Sequence, residues 1–540
     1  MRLNLEFFSY PDSVRPVLAG IELTVRPGAS VVVAGGSGSG KTTLGLILAG
    51  VLPGQHRGAM SGAIALDGMS VSYPAAQAAR INHQSWSSLL GYAGQDATTQ
   101  LSTVAPTVAE EIAFPLENAG MPREQMQVRV RETAAALGMT PLLEEDPALL
   151  SGGQQKLLVM AAAIAARPRF LVLDEPSAGL DLAARTAVAA AIAALRAGGM
   201  GILVLTQDLG AGGVEPGHVV LLDDGRAVFD GTLDQAMRAA SDLALPVFGA
   251  RGVKPAPVSL GALPVPPLPA MPVPATPLPA TQSAGTPILE ASGLRFSYGW
   301  RRPRPWRPTA PAAPTIDAVS LAVAPGETVA VTGANGSGKS TLLRLLTGLS
   351  WPQSGNVAID GAPAGSRGPG RRADVVGALL QHPREQLFER TVRREAAAGL
   401  SGSRGQDERE VLVDTALGRC GLSDAGELHP YELSAAGQRL TALAALLVQA
   451  PRLVALDEPT VSLDRTGLEL LAAAVGAEAE RGAAVVMVTH DLDFAYRTCS
   501  RLLVLSEGRL VADGPFSDVL ESHFSRGEAY GVAAPVTWRA

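Results

Sequence analysis

The feature that most constrains this chain is that it repeats itself. The stretch "FFSYPDSVRPVLAGIELTVRPGASVVVAGGSGSGKTTLGLILAGVL" is echoed in the second half by "LRFSYGWRR…PTIDAVSLAVAPGETVAVTGANGSGKSTLLRLLTGLS". Four more pairs follow in the same order: "GYAGQDATTQL" with "GALLQHPREQL", "ALLSGGQQKL" with "YELSAAGQRL", "LVLDEPSAGLD" with "LVALDEPTVSLD", and "LTQDLG" with "VTHDLD". Ser151 to Asp174 and Ser434 to Asp457 each span 23 positions, and Asp174 to Gln207 and Asp457 to His490 each span 33. A repeat of this length is one folding module written twice, in keeping with a chain of 540 residues, too long for a single hydrophobic core. The expected domains are 1–245 and 287–540. Between them, 246–286 carries "VKPAPVSLGALPVPPLPAMPVPATPLPATQSAG", too rich in Pro and Ala to build a core. It reads as a semi-rigid tether that reaches on the order of 100 Å at about 3.1 Å per residue.

Each module opens on G-x-x-x-x-G-K-[ST], placed between a β-branched strand ("ASVVVAG", "ETVAVTG") and an apolar helical run ("TTLGLILAGVL", "STLLRLLTGL"). That context makes the pattern specific, because glycines let successive backbone N–H groups curl around phosphates at a helix N-terminus. In the first copy Gly35, Gly36, Ser37, Gly38, Ser39 and Gly40 lead to Lys41, Thr42 and Thr43; in the second Gly333, Ala334, Asn335, Gly336, Ser337 and Gly338 lead to Lys339, Ser340 and Thr341. Lys41 and Lys339 are expected on the β- and γ-phosphates of ATP, and Thr42 and Ser340 on Mg²⁺. "FLVLDEP" and "LVALDEP" are buried-strand runs ending in two carboxylates. Asp174 and Asp457 are expected in the metal shell, and Glu175 and Glu458 as the groups that polarise the attacking water. The fold class is therefore α/β.

Composition excludes several classes. Net charge is −7 at a pI of about 5.6, so no global basic field favours nucleic acid. Cys420 and Cys499 show neither a disulfide framework nor metal-ligand spacing, and read as small buried thiols in a reducing compartment. The N-terminal "MRLNLEFFSYPDSV" lacks the basic and apolar regions of a secretory signal, and runs such as "LLVMAAAIAA" stop well short of the roughly 20 residues that span a bilayer. Service to a membrane is expected from its cytoplasmic face.

With these motifs in place, the sequence resembles a tandem ATP-binding-cassette (ABC) ATPase over nearly all the chain outside the linker and an extra loop. The resemblance rests on "LSGGQQ" from Leu150, both phosphate loops, both "LDEP" strands and "VTHD" with His490. It implies two P-loop cassettes, each with a RecA-like core, an antiparallel β subdomain and a helical signature subdomain. It further implies head-to-tail pairing of the cassettes within the chain, each ATP lying between one phosphate loop and the other signature: Ser151, Gly152, Gly153 and Gln154, or Ser434 followed by Ala435, Ala436 and Gly437. Tyr10 and Tyr298 match the family's adenine-stacking aromatic, Gln95 and Gln381 its γ-phosphate-sensing glutamine. Pairing in this way makes the two sites unequal. One combines Lys339, Asp457, Glu458 and His490 with an intact signature. The other has Gln207 in place of the histidine and alanines in the signature, and is expected to turn over slowly.

The run "GQDATTQLSTVAPTVAEEIAFPLENAG" resembles the ATPases of energy-coupling-factor (ECF) importers, and Gln386, Thr391, Val392 and Glu395 keep the pattern in copy two, which lacks the "AF" pair. The resemblance implies docking on a transmembrane T-subunit, with a separate substrate-binding S-component, for uptake of a vitamin, a vitamin precursor or a transition-metal ion. Fused monosaccharide-importer ATPases and soluble tandem factors acting on ribosomes are the alternatives; the first do not usually carry the paired-Gln pattern, and the second typically have a charged helical linker. DNA-repair ATPases are a third, but they insert zinc modules that two distant cysteines cannot build. The Arg/Trp/Pro insertion at 300–314 reads as a solvated surface loop.

Overall fold

The computed structural model describes residues 1–11, 13, 15–54, 58–73, 81–97, 99–180, 182–209, 216–243, 245, 247, 286–298, 314–364, 375–400 and 405–524. The chain divides into two compact units, Met1–Leu263 and Pro264–Ala540. Nearly all of the tract at 246–286 and of the insertion at 300–314 lies outside the described residues.

Two sheets form the first unit. The four-stranded sheet is antiparallel, in the order Leu18–Thr24, Arg2–Ser9, Ala59–Leu66, Met69–Tyr73. Its strand Arg2–Ser9 alternates exposed and buried positions, as expected when one face is wet and the other packs. The six-stranded sheet runs Arg226–Gly231, His218–Asp223, Ser30–Gly35, Gly201–Thr206, Phe170–Asp174, Leu90–Ala93, parallel except at the Arg226 edge. Ser30–Gly35, Phe170–Asp174 and Gly201–Thr206 are buried at every position. Helices cover parallel strands on both faces, which is why these runs read as continuous apolar stretches. The phosphate-loop strand thus lies between the one that carries Asp174 across Gly201–Thr206 and the antiparallel edge, so both motifs end at the same rim of the sheet.

A helical lobe inserts between Leu90–Ala93 and Phe170–Asp174, formed by Val108–Asn118, Arg123–Ala136 and Gly152–Ala165. Ile112, Leu116, Ala134, Leu158 and Met160 close its core, which continues into Leu171 and Leu173 of the sheet. Each of the Ile, Leu and Met side chains contributes about 1.5–3 kcal/mol on burial. A second core under the antiparallel sheet joins Leu3, Leu5 and Phe8 to Leu44 and Leu48 of the helix after the phosphate loop.

The second unit repeats the plan. Its antiparallel sheet runs Ile316–Val323, Leu289–Phe296, Ser354–Ile359, Ala362–Pro363, and its six-stranded sheet Val376–Leu379, Leu453–Asp457, Ala484–Val488, Thr328–Thr332, Arg501–Ser506, Arg509–Pro515. Val392–Ala397, Gln406–Arg419 and Ala435–Leu447 form its helical lobe. Among the described residues no helix is long and apolar enough to cross a membrane.

Candidate active site

Both phosphate loops need backbone shapes that only glycine adopts cheaply. Gly38 and Gly40 have φ of 81° and 95°, Gly336 and Gly338 of 80° and 102°. At Gly35 a Cβ would lie 2.5 Å from the Leu222 carbonyl oxygen, and at Gly333, φ 150°, it would lie 2.0 Å from that of Leu505. The loops are thereby pressed against the neighbouring strand and lead into helices Lys41–Leu48 and Lys339–Leu346. Lys41 Nζ donates to the carbonyls of Gly35 and Gly36 at 2.7 and 2.8 Å, and Lys339 Nζ to those of Gly333 and Ala334 at 2.8 Å each. Each ammonium is held inside its own loop at a helix N-terminus, a setting built for a polyphosphate.

The next residues meet the acidic strand end. Ser340 Oγ donates to Asp457 Oδ1 at 3.1 Å. In the first unit Asp174 is 1% exposed, with the hydroxyls of Thr42 and Tyr92 beside its carboxylate. Burial pushes its carboxyl above the ordinary range, with Thr42 and Lys41 pulling against that shift. A carboxylate buried this deeply is costly unless a cation serves it, so Thr42 with Asp174 and Ser340 with Asp457 are the residues that would hold a magnesium ion.

Glu175 and Glu458 follow with φ of 48° and 46°, a left-handed conformation that non-glycine residues rarely adopt and that costs on the order of 1–3 kcal/mol. Their N–H groups bond to Leu205 O at 2.8 Å and Val488 O at 2.9 Å, which fixes the turn. Burial pushes Glu175 up to about 7 and Glu458 up to about 8, against the pull of Lys41 and Lys339 respectively. A carboxylate tuned near neutrality is suited to proton transfer. Here the units differ. His490 Nε2 lies 3.2 Å from Glu458 Oε1, and His490 N–H donates to Oε2 at 3.3 Å; Glu175 accepts instead from Thr206 Oγ1 at 3.2 Å. Gln207, the counterpart of His490, is half-buried beside that threonine.

The tyrosines stand over the helix start. Tyr10 O–H pairs with Thr43 Oγ1 and Tyr298 O–H with Thr341 Oγ1, both at 3.2 Å, and each ring packs edge-on against Phe8 or Phe296 at 5.0 Å. The hydroxyls of Thr43 and Thr341, expected among the nucleotide ligands, are therefore turned to the tyrosines.

The signature serines begin the lobe helices. Ser151 Oγ accepts from Gln154 N–H at 3.4 Å while Gln154 Oε1 accepts from Ser151 N–H at 2.9 Å, a reciprocal capping box. Gln154, read from sequence as a ligand contact, is in this structure a cap. Ser434 Oγ accepts the forward bond of the same cap, from Gly437 N–H at 3.2 Å. Ala435 is exposed, whereas Ala436 is 5% exposed and part of the core. A methyl at Gly153, the counterpart of Ala436, would lie 2.5 Å from Ala184 Cβ. The counterpart of Ala184 is Gly467, so the second unit carries alanine on the signature helix and glycine at the later position. Of the two alanines only Ala435 presents its methyl at the exposed helix start.

Gln95 is half-buried and Gln381 exposed. The sequence pattern around them gains a physical basis. Gln100 Oε1 accepts from Gly94 N–H at 2.6 Å, and Gln386 bridges Leu380 N–H and Ala378 O at 2.8 Å each, so the second glutamine closes the loop that the first begins. Glu111, 4% exposed, accepts from Ser102 N–H and Oγ–H; Glu395, 3% exposed, accepts from Phe388 and Glu389 N–H, both at 2.7 Å. Thr107 and Thr391 cap the helices that carry these glutamates. Neither buried glutamate was singled out from sequence as an anchor; a carboxylate four positions after a capping threonine was the available signal.

A phosphate loop, a metal-binding serine or threonine and a paired-carboxylate strand at one rim of a parallel sheet define a P-loop nucleoside triphosphatase, and this chain contains two. The profile of the family described as ABC transporter matches residues 18–178 and 316–461, and the chain belongs to that family. It is 32% identical to a protein of Streptomyces coelicolor named as an ABC transporter ATP-binding protein, over 98% of this chain and 96% of the relative. A protein of Streptomyces avermitilis with the same description is also 32% identical, with the same coverage. Among solved structures, cbiO1 from Clostridium perfringens, described as part of the ABC transporter complex cbiONQ, is 27% identical over 44% of this chain and 91% of its own, with a TM-score of 0.39. The chain is thus the tandem-cassette ATP-binding subunit of an ABC transporter, using ATP and Mg²⁺ and hydrolysing ATP in support of transport.

Proposed function

We propose that this subunit is the fused ATPase pair of an energy-coupling-factor importer, working at the cytoplasmic face of the membrane. It docks on a transmembrane T-subunit and, through it, drives a substrate-binding S-component for a vitamin, a vitamin precursor or a transition-metal ion. The observation that carries the reading is the arm after Gln95 and Gln381. Its paired glutamines, capping threonines and buried Glu111 and Glu395 recur in both units and hold a loop beside the phosphate rim. A loop so placed can be biased by a γ-phosphate and read by a partner helix.

The two units close on each other head to tail, tethered through 246–286, which keeps their effective concentration high. Lys339 and Lys41 hold the polyphosphate, and Tyr298 and Tyr10 stack on adenine. Magnesium supplies charge neutralisation to the β- and γ-phosphoryl oxygens. Glu458 orients the attacking water and accepts its proton, held in place by His490. The site that joins Lys339, Ser340, Gln381, Asp457, Glu458 and His490 to Ser151, Gly152 and Gly153 performs most of the hydrolysis. The one that joins Lys41, Thr42, Gln95, Asp174, Glu175 and Gln207 to Ser434 retains ATP longer, since Ala435 obstructs close approach and Gln207 carries no charge.

Affinity purification from the native membrane tests the assignment. A polytopic membrane protein co-purifies with the wild-type chain, and less of it when Val108–Phe114 is scrambled. Association with ribosomes in its place rejects the importer reading.

A further inference from the structure

Two cations lie at equivalent positions of the signature helices, one turn beyond the capping serine, and they are not the same residue. Arg439 in the second unit is 4% exposed, and its counterpart Lys156 donates from a part-buried position in the first. Arg439 Nη1 donates to the Glu458 carbonyl at 2.9 Å and Nη2 to the Gln381 carbonyl at 3.0 Å. One planar group therefore ties together the signature helix Ala435–Leu447, the residue that follows strand Leu453–Asp457 and the loop that follows strand Val376–Leu379. Lys156 Nζ donates to the carbonyls of Glu175 at 2.9 Å and Ala178 at 2.7 Å, both on the loop after Phe170–Asp174. Among the described residues it gives no hydrogen bond to the Gln95 loop, whose Asp96 attracts it by charge alone. Instead a cavity about the size of one water molecule lies beside it, lined in part by Ala93, Gly94 and Ala97 on either side of Gln95, with Asp174 and Pro176 opposite.

The difference follows from the two side chains. A guanidinium presents donors in a fixed fork and bridges two separated carbonyls without rearranging, while an ammonium is a compact point charge that turns toward whichever acceptors are nearest. Neighbouring side chains brace the fork in the second unit. Gln438 Oε1 accepts from Arg384 Nε at 2.9 Å, and the Tyr431 hydroxyl donates to Leu387 O at 3.2 Å, so the far end of the same loop is pinned to the same helix and to the turn Pro430–Glu432 before it.

We infer that Arg439 is a positioning residue that rigidly couples the Gln381 loop to the Glu458 backbone by hydrogen bonds, and that Lys156 does not make the equivalent bridge to the Gln95 loop. Movement imposed on the second unit's loop by a bound γ-phosphate or a partner is passed through Arg439 to the residue whose carboxylate activates water; in the first unit Lys156 passes less of it to Glu175. This is a source of inequality between the sites separate from the histidine and the signature alanines, and it rests on the assignment of Glu458 and Gln381 above.

The test uses the full-length chain with its membrane partners and three variants: Arg439→Lys, Lys156→Arg and Glu458→Gln. Steady-state ATPase, binding of a fluorescent ATP analogue and amide hydrogen exchange are measured for each. Arg439→Lys is expected to lower kcat by about tenfold with KM little changed, since only geometry at the reacting centre is lost. Its amides at 381–387 should exchange faster, whereas in Lys156→Arg those at 95–101 should exchange more slowly. Unchanged kcat and unchanged exchange in Arg439→Lys overturn the inference, as does Lys156→Arg leaving its loop as fast as before. If Glu458→Gln retains turnover, the assignment of the catalytic carboxylate fails and this inference with it; if Glu458→Gln is inactive while Arg439→Lys is silent, this inference alone fails.

Discussion

His490 touches Glu458 at both ends of the carboxylate, with Nε2 3.2 Å from Oε1 and the backbone N–H 3.3 Å from Oε2. Glu175 has the hydroxyl of Thr206 as its side-chain partner. The carboxylate proposed to activate water is thus oriented by an ionisable group in one unit and by a neutral one in the other. Glu458→Gln should remove nearly all steady-state ATPase activity, and Glu175→Gln only a minor part. Equal losses, or the reverse order, reject the asymmetry.

The close approach of Gly153 to Ala184 makes a stability prediction. Gly153→Ala places a methyl 2.5 Å from Ala184 Cβ and should destabilise the first unit by about 1–3 kcal/mol through overpacking. Adding Ala184→Gly, which reproduces the Ala436 and Gly467 arrangement, should recover much of the loss. Thermal denaturation of the two variants decides it; a double variant no better than the single one contradicts the compensation.

Glu395 holds two backbone N–H groups that otherwise lack an acceptor of comparable strength. Replacing it by alanine removes both bonds, at on the order of 1 kcal/mol each, because the segment is exposed and water takes over the donors. Faster amide exchange at these two residues is expected, together with weaker co-purification of the membrane partner. Normal exchange would show that the loop is held elsewhere.

Both cysteines are nearly inaccessible, Cys420 at 0% and Cys499 at 2% exposure, and burial pushes each thiol up to about 12. Folded protein at pH 8 should resist iodoacetamide and react only on unfolding, which mass spectrometry reads directly. The sign for stability follows from the same shift. A thiol that titrates near 9 when unfolded and near 12 when folded loses its proton first in the unfolded chain. Between these pH values stability therefore falls as pH rises.

At Gly333 the loop passes so close to strand Arg501–Ser506 that an alanine methyl would lie 2.0 Å from Leu505 O, at φ 150°. Gly333→Ala should cost more than about 1 kcal/mol in stability and abolish ATP binding at that loop. Retention of wild-type affinity for a fluorescent ATP analogue would show that the loop relaxes around the methyl.

The sequence by itself determined everything carried by neighbours along the chain: the duplication, the glycine loops between strand and helix, the carboxylates at the ends of continuous apolar strands, and the threonine and serine caps. Each is a short-range pattern, and the backbone conformations it demands restrict the residues that fit. The tertiary structure alone decided matters that depend on which distant segments meet. Gln154 and Glu111 look like any polar residues on a helix until their partners are known, and the left-handed turn at Glu175 and Glu458 is imposed by hydrogen bonds to the neighbouring strands at Leu205 and Val488. The fork of Arg439 spans 58 positions to Gln381 and 19 to Glu458, and the close approach of Gly153 to Ala184 is visible only where two helices face each other. Packing and hydrogen bonding act through space at a few ångströms, and no local periodicity records them.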